Sequence, residues 1–256
     1  MRIIVNADDF GFDDQTVDAT IACFERGLLT SATIMPKMPA TARAVAYACA
    51  HPEHSFGVHL TYGGDGIEEP VLAPERVPAL VEPSGKLLQS NKTRMLAVLR
   101  RIPEDQIERE TEAQLRVLID RGVQPSHVDS HGHIHKFKPF RAALARVLPR
   151  FGIRKVRSAQ DVFVERPLKS FSYWLGPHWR RSLRRRFETT QHFFMPRGGP
   201  GEAWAAALAA RLPRGTLEVG VHPGPDGWRL DQRREVEIFI SLVRRRGATL
   251  IGWKEL

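Results

Sequence analysis

Four short strand-like runs in this chain of 256 residues each lead into side chains that bind metals or carry protons. Ile3-Ile4-Val5 precedes Asp8 and Asp9, and Phe56-Gly57-Val58 precedes His59. Pro125 to Val128 precedes Asp129 and His131, and Leu217 to Val221 precedes His222. Such runs read as strands, and the β-branched Ile3-Ile4-Val5 as a buried one. Between them the apolar residues fall at helical spacing, as at Val17, Ile21 and Phe24 before the stop at Gly27. Strand–helix alternation predicts a mainly parallel α/β fold. The carboxyl ends of parallel strands gather at one mouth, so these four groups are expected to meet there.

About seven strand–helix units can be drawn, near the number that closes a barrel. Strands are expected near Ile3–Val5, Ser31–Met35, Ser55–Thr61, Pro125–Val128, Arg154–Arg157, Thr216–His222 and Ala248–Trp253. Helices are expected over Asp14–Arg26, Ala40–Ala50, Pro103–Arg121, Phe140–Phe151, Trp204–Leu212 and Asp231–Arg246, the last capped by Asp231. A single domain over 1–256 is expected, with insertions at 62–91 and 165–200. The first of these is rich in Gly, Pro and Glu and reads as a long loop beside the mouth.

Asn6-Ala7-Asp8-Asp9-Phe10-Gly11 places two carboxylates side by side at a strand end, where like charges disfavour joint ionisation. A metal ion or a catalytic task removes that objection. Successive strand residues face opposite ways, so one Asp could take the metal while the other points toward a substrate. Asp129-Ser-His-Gly-His-Ile-His135 packs four ligands or proton carriers into seven residues. If the strand persists, alternation places His131, His133 and His135 on one side, in phase with Asp129.

Composition narrows the class. Hydrophobic residues make up 42% and charged residues 26%, as in ordinary globular proteins. Cys23 and Cys49 make neither a disulfide framework nor a thiolate metal site. The amino terminus begins a strand at once, without a secretory layout, which predicts a cytoplasmic protein. The formal charge of +9 attracts anions, but the arginines are scattered and no nucleic-acid motif is visible. Between Phe171 and Phe187, aromatic residues alternate with arginines, and Trp179, Leu183 and Phe187 form one helical stripe. That stripe reads first as a face docked on the body of the protein. The second reading is peripheral contact with an anionic membrane or a lipid-bearing substrate.

The motifs at Asn6–Gly11, Val58–Thr61 and Asp129–His135, with His222-Pro223 later, resemble those of the YdjC-like carbohydrate deacetylases, the chitooligosaccharide and hopanoid-associated group. The likeness is close in the first half and thin between about 157 and 214. It implies a distorted (β/α) barrel that removes acetyl groups from N-acetylated amino sugars, on oligosaccharides or glycolipids. It further implies one divalent metal on Asp9, His59 and His131, Asp8 as general base and His222 as general acid. The resemblance suggests magnesium; two imidazoles and one carboxylate suit zinc or another transition ion better. Arg157 could orient Asp8 or serve as a structural ion pair. His133, His135 and Asp129 are left with supporting or substrate-binding roles. A homodimer is compatible with the sequence but not read from it. Two rivals stand beside this reading: a metal-dependent phosphoesterase, which needs two metals and more carboxylates, and a non-catalytic sugar- or lipid-binding protein.

Overall fold

The computed structural model describes residues 1–256. β1 (Arg2–Phe10) is buried from Ile3 to its end, as a run of Ile and Val at the centre of a parallel sheet should be. It is followed by α1 (Asp14–Glu25), whose first turn is closed by Asp13 accepting the Thr16 amide at 2.7 Å. β2 (Ser31–Ile34), α2 (Thr41–Ala50) and β3 (Ser55–Leu60) continue the alternation. α3 (Ser90–Val98) and α4 (Glu104–Ile119) then precede β4 (Val128–Ser130). α5 (Lys138–Val147), α6 (Phe171–Arg184), β5 (His192–Phe194), α7 (Ala205–Ala210), β6 (Thr216–Val221), α8 (Gly227–Arg245) and β7 (Thr249–Leu250) complete the chain.

All ladders are parallel and run in the order β4-β3-β2-β1-β6-β5, with β7 pairing the start of β1. The gap between β4 and β5 is spanned by single bridges: Val156 on Val128, and Lys155 on Glu188. The expected strand at Arg154–Arg157 is therefore a bridging segment, and the sheet curls into a distorted barrel. A cluster of 54 buried apolar residues fills the space between sheet and helices. No helix is long and apolar enough to cross a membrane.

Several boundaries differ from expectation. The last helix begins at Gly227 after Asp226, so Asp231 lies inside it and caps nothing. The final strand shrinks to two residues. The segment after Thr61 is largely the loop expected up to α3, and it is closely packed: Tyr62, Val77, Leu80, Leu87 and Leu88 are buried. α4 holds that segment with two buried polar side chains. Gln114 accepts the Thr61 amide at 2.8 Å and donates to its carbonyl at 2.6 Å, while Glu110 accepts the Val71 and Leu72 amides. α3 and β5 are short, and neither has a periodic apolar pattern long enough to announce it. Trp179 and Leu183 on α6, and Phe187 just beyond its end, are all buried, which is the docked stripe.

Candidate active site

β1 loses its register with β2 between Ala7 and Phe10, and Asp9 adopts a left-handed backbone at φ 60°. Irregularities of this kind re-aim side chains beside functional sites. Strict alternation would send the two carboxylates apart; the irregularity instead leaves both Asp8 and Asp9 buried at one site. β6 ends with Val221 opposite Ala7, so Asp8 and His222 leave two neighbouring strands together. β4 places Asp129 opposite His59.

The Asp9 Oδ1 atom lies 3.3 Å from His59 Nε2 and 3.2 Å from His131 Nδ1. One ligand atom from each of these three residues lies within 4.8 Å of the others. On the far side of the ring, His59 Nδ1 is 2.7 Å from Asp129 Oδ1. That bond fixes the proton on Nδ1 and turns the Nε2 lone pair toward Asp9. Two acceptors facing each other at this distance call for a positive charge between or upon them. Burial opposes charge on His59, yet Asp129, Asp9 and Asp8 outweigh it and raise the imidazole pKa to about 10. With a proton or a cation, the same position demands positive charge.

The wider charge balance agrees. Asp8, Asp9, Asp129 and Glu218 are four buried carboxylates, met by two guanidiniums, Arg157 and Arg229. When all are ionised and His59 is neutral, two negative charges remain, which a divalent ion held by that imidazole would neutralise. The donor set fits such an ion, and the pair of imidazoles favours a transition metal over magnesium.

Arg157 is fully buried and serves three acids. It grips both Asp8 oxygens at 2.5 and 2.7 Å, reaches Asp129 Oδ2 at 2.6 Å and holds Glu218 Oε1 at 2.8 Å. Orienting Asp8 and pairing structurally are thus one and the same contact. Asn6 adds a hydrogen bond to Asp8 Oδ1 at 2.8 Å. Burial alone would raise the Asp8 pKa, but Arg157 holds it well below the ordinary carboxylate range. Glu218, deep in β6 with Oε2 unpartnered, is pushed by burial up to about 7 despite Arg157.

The run from His131 to Lys136 does not continue as a strand. It coils into a tight 3-10 stretch, with Gly132 at φ 61° and His133 at φ 55°. The three histidines therefore diverge: His131 meets Asp9, His133 Nε2 lies 3.1 Å from Met195 Sδ, and His135 Nδ1 lies 2.8 Å from the Ser130 hydroxyl. They do not share a face with Asp129 in the manner the alternation predicts.

A cavity of about 600 Å³ opens over this cluster, lined by Asp8, His59, His131 and His222 among others. The His222 ring packs edge-on against Trp228, its centroid 5.4 Å away, and its Nδ1 has no partner. Burial, assisted by Arg229, lowers the His222 pKa. A second cavity of about 390 Å³, under α6, shares His133, Met195, Pro196 and Arg197 with the first. Two participants escape sequence reasoning. Glu218 could have been flagged as a charge inside an apolar strand. Arg229, 2.7 Å from Asp9 Oδ2, carries only a positional signal: it stands in the first turn of a helix that follows a strand end.

The chain is similar to known proteins in sequence and in fold. A family model described as YdjC-like protein matches residues 2–245. Two curated relatives, both described as carbohydrate deacetylases, come from Halalkalibacterium halodurans and Geobacillus stearothermophilus. The first is 33% identical over 153 residues, covering 60% of this chain and 62% of the relative. The second is 37% identical over 161 residues, covering 61% of this chain and 60% of the relative. The chain thus spans about three fifths of the length of these relatives. A solved structure from Enterococcus faecalis V583, described as a proposed cellobiose-phosphate cleavage protein, shares the fold. Its TM-score is 0.77 over 99% of this chain and 98% of that one, at 21% identity.

Proposed function

This chain belongs to the YdjC-like protein family, and from that premise we propose that it is a metal-dependent hydrolase. Its reaction would remove the N-linked acetyl group of an N-acetylated amino sugar, on an oligosaccharide or a glycolipid, and release acetate. What supports the reading is one convergence. Three ligand atoms, from Asp9, His59 and His131, meet beside an arginine-held carboxylate and an unpartnered imidazole, at the floor of a cavity that Asp8, His59, His131 and His222 line. The carbohydrate deacetylases among its relatives supply the reaction class.

Asp9, His59 and His131 would hold one divalent ion. When bound, such an ion supplies Lewis acidity, polarising an amide carbonyl and making water a nucleophile near neutral pH. Asp8 stays ionised because Arg157 and Asn6 hold both of its oxygens, so it is ready to accept a proton from water. Arg157 in turn fixes where that carboxylate sits. Asp129 keeps the His59 proton on Nδ1. His222 lines the same cavity and would donate a proton to the departing amine. Burial lowers its pKa, so the protonated donor is the minor form near neutral pH and a stronger acid when present. The backbone amide of His222 is anchored by Gln232 at 2.7 Å, which steadies the donor.

The test is release of acetate from N-acetylglucosamine oligomers by purified protein of known metal content, with phosphate release from a sugar phosphate measured in parallel. Acetate release supports the reading. Phosphate release without acetate would replace it with the phosphoesterase.

A further inference from the structure

The surface exposes eight large apolar side chains, and seven of them stand on two stretches that rim the cavities. Ile67, Met95, Val98 and Leu99 belong to the excursion after β3 and to α3 with its cap, and Ser90, Asn91 and Arg94 of α3 line the catalytic cavity. Leu168, Phe171 and Trp174 lie at the start of α6, and Pro167, Ser170 and Tyr173 from the same stretch line the second cavity. Phe171 and Trp174 are each 65% exposed. The Trp174 indole donates to the Leu168 carbonyl at 2.9 Å, which ties these residues into one patch.

Charge follows the same distribution. Between 165 and 186 there are seven Lys and Arg against one acid, Glu165; between 90 and 101 there are four against none. Of these eleven cations, only Lys92 and Arg180 have a carboxylate partner. Exposed aromatic rings among unpaired arginines suit an interface where acyl chains meet anionic headgroups. A second copy of the chain is a poorer occupant, because a two-fold contact would set these arginines against themselves.

We propose that this rim docks on a membrane of anionic phospholipid, turning the mouth of the catalytic cavity toward the headgroups. The proposal takes its mouth from the function given above and adds a partner: a lipid surface from which an N-acetylated sugar could enter.

Vesicle flotation tests it, using phosphatidylcholine alone and phosphatidylcholine mixed with phosphatidylglycerol. The protein is expected to float only with the mixed vesicles and to be released by added salt, which screens the attraction. The double variant Phe171→Ser/Trp174→Ser, outside both cavity linings, is expected to lower partitioning at least about tenfold. Arg181→Ser/Arg185→Ser should lower it as well, and matching thermal melts establish that both variants fold. No flotation at low salt, or flotation that neither variant weakens, overturns the proposal. So does a dimer, seen by light scattering, that Phe171→Ser/Trp174→Ser converts to monomer. No turnover enters these readings, so their failure leaves the deacetylase standing, while failure of acetate release on soluble sugars leaves the docking surface standing.

Discussion

Arg157 holds both carboxylate oxygens of Asp8, at 2.5 and 2.7 Å, with the ion pair wholly out of solvent. The same guanidinium touches Asp129, which orients His59, and Glu218 on β6. One side chain thus links the proposed base to the metal cluster and to the sheet.

Removing it should be costly. Arg157→Met leaves Asp8, Asp129 and Glu218 without their shared cation, and breaking a buried pair in this way costs about 3–5 kcal/mol. Urea unfolding should report that loss. A change within a few tenths of a kcal/mol would mean that the buried acids have another source of compensation.

Asp8→Asn keeps the shape and removes the basic oxygen. Acetate release should fall by about 10²–10⁴-fold while bound metal is retained, because Asp8 is not among the three proposed ligands. Elemental analysis beside a turnover assay reads both. Full activity, or loss of metal, would reassign Asp8.

His222→Ala should depress turnover of an acetamido sugar far more than turnover of an acetyl ester whose leaving group needs no proton. The basis is the placement of His222 in the cavity with Nδ1 unpartnered. Equal losses on both substrates would remove its role as proton donor.

Lys136 supplies the pH dependence of stability. It lines the second cavity with Nζ 4.7 Å from the Trp179 ring, and burial, with the Arg94 charge, lowers its pKa to about 8. The unfolded chain therefore binds the proton more tightly between about pH 8 and the ordinary lysine value of 10.5. Stability from this group rises with pH through that window, and below it the full penalty is present. Lys136→Met should raise Tm more at pH 7 than at pH 10. An equal shift at both values would show an unperturbed ammonium.

How much of this was readable beforehand depended on whether the chemistry was adjacent in sequence. Asp8-Asp9 and the His131–His135 run announce themselves, and the apolar runs before them place both at strand ends. The direction of each side chain was less readable. Alternation failed at Asp9 and again at Gly132-His133, because both places adopt positive φ, which no periodicity encodes. Arg157 reads in sequence only as a choice between orienting Asp8 and pairing structurally, Glu218 and Arg229 are not singled out, and only the closing of the sheet brings Arg157 and Glu218 to one point. The docked stripe of α6 was readable as a period. That its opposite side would gather Phe171 and Trp174 beside a cavity depends on the crossing of distant segments.

The most direct measurement is the metal content of wild-type protein and of His131→Ala, with acetate release followed in the same samples. One divalent ion per chain in the wild type, lost together with activity in the variant and restored to neither by added metal, is the expected result. Wild-type protein that turns over at full rate after complete removal of divalent ions would contradict the account at its centre.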